Sequence, residues 1–272
     1  MPSSFFTTNR KQHAPNFMAL KKDEMSQDTY DDLIARIRTH CQQTAQDARP
    51  GSGRARKAKD YVRWYIPERK TCLVLKPEED GQEPTFAFPP ATEQQIRETE
   101  QQLGFPLPRL LRLLYARIAN GGFGPGFGII GAVNGYLGVD HILGSIARRY
   151  QWEIDFADAL RQLYKGGWAS LTPEGRQVLW EDGIGSRELW ESGQLTDDEP
   201  EGEAPPLEEE NLPAPWPNHL LPLCEHGCNI TTYLFADTEQ VVQGMHDPYL
   251  VVAASHEEWL ERWLAGEELQ LM

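Results

Sequence analysis

No stretch of about 18 apolar residues occurs anywhere in the chain, so no segment is expected to span a membrane. The first residues, MPSSFFTTNRKQH, lack the apolar stretch of a secretory leader. Without export, the glycosylation match at Asn229-Ile230-Thr231 carries no weight. Cysteine is scarce: four residues, scattered except for Cys224 and Cys228, do not make a disulfide framework and fit a reducing, cytoplasmic setting. Positive charge is also short, with 26 Lys+Arg against 41 Asp+Glu and a net charge of −15. The deficit is uneven. Residues 1–80 hold 15 basic and 11 acidic side chains, a balance of +4, whereas the remainder holds 11 and 30, a balance of −19. An acidic body repels the phosphates of nucleic acid and permits steering toward a basic protein. Solubility alone is the simpler account of the same charge.

The signatures of several chemistries are missing. There is no G-x-S-x-G elbow, and His256-Glu257-Glu258 lacks the second histidine of a zincin helix. The glycines at 121, 122, 124, 126 and 128 follow a helix and precede an apolar run, the reverse of the Rossmann fingerprint, and no G-K-[ST] follows them. They read as a structural corner, not a phosphate cradle. Cys224, His226 and Cys228 with nearby His219 invite a zinc reading, but structural sites pair two ligand knuckles across a longer stretch. Buried small thiols are the simpler assignment. No metal or cofactor is expected.

What the chain does contain is a well-punctuated run of elements. Thr92 with Gln95 makes a capping box, Ile96 and Leu103 share a helical face, and Gly104 and Pro106 stop the helix. Pro108 opens a second helix whose stripe is Leu110, Leu111, Leu114, Tyr115 and Ile118, closed by Asn120-Gly121. The glycines then turn Phe123 and Phe127 inward, and Phe127–Val133 reads as a buried strand. Upstream, Asp28 caps a helix carrying Tyr30, Leu33, Ile34, Ile37 and Cys41, ending near Arg49. Within the basic, aromatic stretch Arg54–Lys70, YVRWYI alternates, PERK turns and TCLVL returns, so a hairpin is preferred over a surface for single-stranded nucleic acid. Downstream come helices over Trp152–Tyr164 and Thr172–Trp180, then the acidic stretch 196–211, TDDEPEGEAPPLEEEN. That stretch is either a solvated insertion or an arm for a basic partner. Strands are expected over Thr231–Ala236, Gln240–Gln243 and Leu250–Ala254, and Ser255 with Glu258 starts a last helix bearing Trp259, Leu260, Trp263 and Leu264.

Helices, then strands, then a helix make an α+β fold: a mixed, largely antiparallel sheet with amphipathic helices against it. The order A-T-E-x-x-I-x-x-x-E-x-x-L-G-F-P-L-P, L-x-x-L-Y, N-G-G-F-G-P-G, then Trp216-Pro217, Leu221-Pro222-Leu223-Cys224, Gly227-Cys228, Asp237 and the tryptophan-bearing final helix resembles the SMI1/KNR4 family of the SUKH superfamily. Gly121, Gly122, Trp216, Pro222, Gly227, Asp237 and Trp259 are its structural marks here. The resemblance covers residues 85–272, leaving 1–84 as an N-terminal extension of arm, helix and basic hairpin. It implies a non-enzymatic protein-binding module. The implied role is an immunity protein that neutralises a cognate nuclease or deaminase toxin of a polymorphic or contact-dependent system. A regulatory or scaffold adaptor related to cell-wall signalling is the alternative within the resemblance, and an enzyme using Cys224, His226 and Cys228 is the alternative outside it. The expected partner is a basic toxin domain, not nucleic acid or membrane, met by Asp197, Asp198, Glu208, Glu209 and Glu210 of the acidic stretch.

Overall fold

The computed structural model describes residues 27–47, 54–57, 60–77, 84–138, 144–181, 208–209, 212–227, 230–244, 249–267 and 269. The helices among them are α1 (Gln27–Asp47), α2 (Glu93–Leu103), α3 (Arg109–Arg117), α4 (Ile146–Gly166), α5 (Pro173–Glu181) and α6 (His256–Leu264). The strands are β1 (Arg54–Lys57), β2 (Val62–Ile66), β3 (Thr71–Leu75), β4 (Phe123–Gly124), β5 (Leu220–Gly227), β6 (Ile230–Phe235), β7 (Val241–Gly244) and β8 (Leu250–Ala253). They form two four-stranded antiparallel sheets, β1-β2-β3-β4 and β5-β6-β7-β8, each in chain order. The class is α+β, with the strands divided between two sheets.

Local chemistry explains the element ends. Thr92 Oγ1 accepts the Gln95 N–H while Gln95 Oε1 accepts the Thr92 N–H, and Gly104 closes α2 at φ +80°. Lys70, at φ +46°, turns the chain from β2 into β3 after the short helical turn Pro67–Arg69. Ser255 Oγ accepts the Glu258 N–H at the start of α6, but the Glu258 carboxylate bonds the N–H of Ala254, one residue before the cap. α1 begins at Gln27, so Asp28 lies inside it. α4 begins at Ile146, earlier than the Trp152 expected, after Ser145.

All five residues of β3 are buried because the strand is covered on both faces. Leu73 and Leu75 face the main core, with Leu33, Ile34 and Ile37 of α1, the α3 stripe, and Trp259 and Trp263 of α6. Cys72 and Val74 face a smaller cluster built on Tyr136. In β5, Pro222 pairs with Tyr233 and Cys224 with Thr232, so Leu223 is one residue too many. That bulge lets Leu223 and Cys224 both reach the main core. β5 is the outer strand of its sheet, where a proline is tolerated.

Two expectations for the stretch after α3 are corrected. The helix stops at Arg117 with Ile118 as its C-cap, so Asn120 does not cap it. Asn120 reaches forward: Oδ1 accepts the Ala132 N–H at 2.8 Å, and Nδ2 donates to Val133 O at 3.1 Å. Residues 127–133 are also not a strand. Their hydrogen bonds go to different elements, so no ladder forms. Ile129 N–H donates to Phe123 O and Gly122 N–H to Ile129 O, both at 2.8 Å. On the other side, Phe127 N–H donates to Glu225 O at 2.7 Å and Ile130 N–H to Leu223 O at 2.8 Å. Tyr115 adds a hydroxyl bond to Ile130 O at 2.6 Å. The glycine corner and the residues after it therefore staple β4 of the first sheet to β5 of the second. Phe123 is buried as expected, whereas Phe127 is half-buried beneath the Arg63 guanidinium, 5.2 Å from its ring centre.

His256 departs from the rule that buried polar groups find partners: it is 0 % exposed, and neither ring nitrogen has one among the described residues. Burial lowers its pKa from 6.5 to about 3. The unfolded chain takes up this proton as the pH falls through 6.5, but the folded chain does not until about 3. This contribution to stability is complete above 6.5 and is lost on acidification between those values. At pH 5 the loss is about 2 kcal/mol, since each pH unit below 6.5 removes about 1.4 kcal/mol. His40 is displaced in the same direction by burial and Arg69. The informative comparison is therefore with His256→Leu. Between pH 7.5 and pH 5, urea unfolding should show the variant losing about 2 kcal/mol less than the unsubstituted protein.

Candidate protein-binding surface

The glycine corner is closed to ligands. The N–H groups of Gly121, Gly122 and Gly128 donate to Ala119, Ile129 and Pro125 carbonyls, so the donors a phosphate needs are spent internally. Gly121 sits at φ +79°, and a Cβ there would lie 2.6 Å from Gly131 N and 2.7 Å from Ile129 O. Both obstacles are backbone atoms that cannot swing away. Gly121→Ala is expected to cost about 3 kcal/mol, read as a fall in the thermal midpoint. A Cβ added at Gly122, at φ +76°, would likewise lie 2.9 Å from Val74 Cβ.

The thiol–imidazole cluster is closed as well. Cys224 is 0 % exposed, and burial pushes its thiol well above the usual range, so the reactive thiolate is not formed. His226 Nε2 lies 2.8 Å from Thr232 Oγ1, 3.2 Å from Gln243 Nε2 and 3.6 Å from Cys224 Sγ. Gln243, itself buried, also donates to Thr232 Oγ1 and Leu269 O, both at 2.9 Å. This network ties β5, β6, β7 and the C-terminal segment together. Cys228 lies outside the described residues, and among those described no three His, Cys, Asp or Glu side chains are placed to hold a metal.

The remaining family marks have packing roles. Trp216 Nε1 donates to Leu220 O at 3.2 Å, and its ring meets Tyr233 edge-on at 5.3 Å. Asp237, in the turn after β6, bonds Nδ1 of His219, the residue before β5, at 2.9 Å. Gly227, at φ +88°, lies against the Phe127 ring, and Trp259 is fully buried.

Arg149 of α4 joins that helix to β5. Its guanidinium lies 3.2 Å from Glu153 and 3.2 Å from Glu225, with side-chain exposures of 12 %, 2 % and 12 %. It also sits 5.1 Å from the centre of the Trp152 ring. Sequence reading missed this group because Arg149 and Glu225 are 76 residues apart.

Of the acidic contact residues expected from the sequence, Glu208 is exposed. Glu209 is bound by Arg161 at 2.9 Å and Lys165 at 3.2 Å, both on α4. Arg161 also donates to Pro213 O, which seats this end of the acidic stretch on the helix. Asp197, Asp198 and Glu210 lie outside the described residues. A groove of about 680 Å³ opens between α4 and α5. Its floor includes Ala147, Trp152 and Val178, and its walls carry Asp155, Glu174 and Glu181. The helices touch where Gly175 faces Ala159, a hypothetical Cβ there standing 3.4 Å from Ala159 Cβ, and α5 turns back along α4 from that contact. The sequence holds the pattern for this groove in the (i, i+4) pairs Gln151/Asp155 and Gln177/Glu181, which hydrogen-bond at 2.9 Å each.

No curated protein and no solved structure was found to match the chain. A family model described as SMI1 / KNR4 family (SUKH-1) matches residues 90–262, from the residues before the Thr92 cap to the last turn of α6. The match spans the capping box, the glycine corner, both bulges of β5 and the buried Trp259, and the chain therefore belongs to the SMI1/KNR4 (SUKH-1) family.

Proposed function

We propose that this chain is a non-enzymatic protein-binding module that works as an immunity protein, holding a basic toxin domain of nuclease or deaminase type in a neutralised complex. Family membership supports the class of function. The observation that carries the reading is the placement of charge. Around the open groove of a chain with net charge −15 stand Asp155, Glu174 and Glu181, which form no ion pair among the described residues. An acidic surface on a rigid support attracts a basic protein, speeds its association and repels nucleic acid. Catalysis would need a titratable group both poised and accessible. The cysteine and histidine of the one compact Cys–His cluster described are instead a buried neutral thiol and an imidazole bonded to Thr232.

The test is co-expression with the toxin domain that this reading expects to be encoded beside the gene. Cells carrying both proteins should grow as the toxin-free control does, and the two should co-purify. Toxin-arrested growth despite abundant folded protein would reject the reading.

A further inference from the structure

We infer that β8 is a pairing edge, along which two copies of this chain join their second sheets antiparallel about a two-fold axis. Leu250 and Val251 of β8 are 55 % and 58 % exposed, and Tyr164 is the one other exposed large apolar side chain among the described residues. The register sets the two on opposite faces of the sheet. Leu250 lies opposite Gln243, on the face that Val241 turns to the main core. Val251 lies opposite Val242, on the face of Leu220 and Tyr233. A helix or loop laid on the sheet would cover one face and leave the other in water. A strand placed beside β8 covers both side chains at once.

The other edges of the two sheets are guarded. β1, with the sequence RARK, carries three basic residues in four, which oppose pairing with a like strand. At β4, the Phe123 carbonyl is taken by the Ile129 N–H. β5 is covered by Phe127 and Ile130, whose N–H groups donate to the Glu225 and Leu223 carbonyls. β8 ends its sheet with no strand beside it among the described residues. Its last part is attended by α6: Arg262 donates to Val252 O, and Glu258 accepts the Ala254 N–H. Tyr249–Val251 is the part left to pair.

Charge selects the occupant. From Tyr249 to Ser255 the sequence YLVVAAS has no charged residue. A basic protein drawn by a net charge of −15 finds no carboxylate on this strand, whereas a second copy brings an identical uncharged one. The axis that relates antiparallel neighbours in one sheet runs perpendicular to it, so each face continues into the same face of the other copy. Val251 then meets its own counterpart, a β-branched cross-strand pair, and Leu250 is covered on the core side. Such isologous pairing consumes both edges and closes at two copies, so no fibre grows. The contact is short, and the dimer is correspondingly weak, with a dissociation constant on the order of 0.1 mM.

Sedimentation equilibrium of the full-length protein is the test. Dimer should accumulate as the concentration rises to about 1 mM, and association should stop at two copies. Added salt should tighten it, because salt screens the repulsion between two chains of net charge −15. Val251→Lys sets like charges opposite each other and should weaken association at least about tenfold. Leu250→Lys should weaken it as well. Both positions are exposed, so neither variant should move the thermal midpoint. Amide hydrogen exchange at Leu250 and Val251 should slow with concentration in the unsubstituted protein and not in Val251→Lys. A monomer at every concentration, a dimer whose affinity survives both substitutions, exchange at β8 that ignores concentration, or assembly beyond two copies would overturn the inference.

Discussion

Removing residues 1–84 is expected to leave a polypeptide that does not fold. The family match begins at residue 90, but the core does not. Leu33, Ile34 and Ile37 of α1 and Leu73, Val74 and Leu75 of β3 are between 0 and 4 % exposed. Burial of each is worth about 1.5–3 kcal/mol, so these six side chains alone contribute on the order of 10 kcal/mol. Total stability of a domain is about 5–15 kcal/mol, leaving little or nothing once they are gone. The truncation also strips β4 of its partner, since Leu73 pairs with Phe123 and Cys72 with Gly124. Trp263 loses its hydrogen bond to Thr71 Oγ1 at 3.0 Å. The truncated chain should show no near-ultraviolet circular dichroism from its tryptophans and collapsed amide dispersion. A well-dispersed spectrum would show that residues 85–272 carry their own core.

Arg149→Met is expected to destabilise the protein by about 4 kcal/mol, because it removes the arginine shared by two carboxylates whose side chains are only 2 % and 12 % exposed. The methionine fills much of the volume, so loss of packing is a small part of the effect. The distinguishing observation is rescue. Glu153→Gln in the Arg149→Met background removes one of the two negative charges Arg149 had offset and should recover part of the loss, whereas Glu153→Gln alone should destabilise. The surface pair Arg36–Glu261, with exposures of 46 % and 38 %, sets the contrast. Screened by water, it is worth about 0–1 kcal/mol, and Arg36→Met should barely move the unfolding midpoint.

The elements legible from sequence are those whose determinants lie within a few residues of each other. Thr92 finds Gln95 three positions on, the α3 stripe repeats at helical spacing, and the turn at Lys70 separates two alternating runs. The C-terminal strands and the cap at Ser255 were readable for the same reason. What escaped reading depends on partners distant in sequence. An apolar run such as 127–133 has the composition of a strand, but its hydrogen bonds are divided between Phe123, Gly122, Leu223 and Glu225, which only the fold brings together. Asn120 has the chemistry of a helix cap, yet Ala132 and Val133 outcompete the helix end for it. The bulge at Leu223, which aims two adjacent side chains at one core, leaves no mark in composition. The division of strands between two sheets was hidden for a related reason, since strand runs do not state their neighbours. In the candidate site, the acidic character was plain in the charge count. The groove was not, because it depends on how α5 folds back over α4 after the contact between Gly175 and Ala159.

Calorimetric titration of the full chain with an inactivated form of the basic toxin domain that the proposal requires tests the protein-binding claim most directly. The account predicts a stoichiometric complex whose affinity weakens steeply as salt rises, since the contact is led by charge. Absence of heat at tens-of-micromolar concentrations, with both proteins folded, or an affinity indifferent to salt, would contradict it.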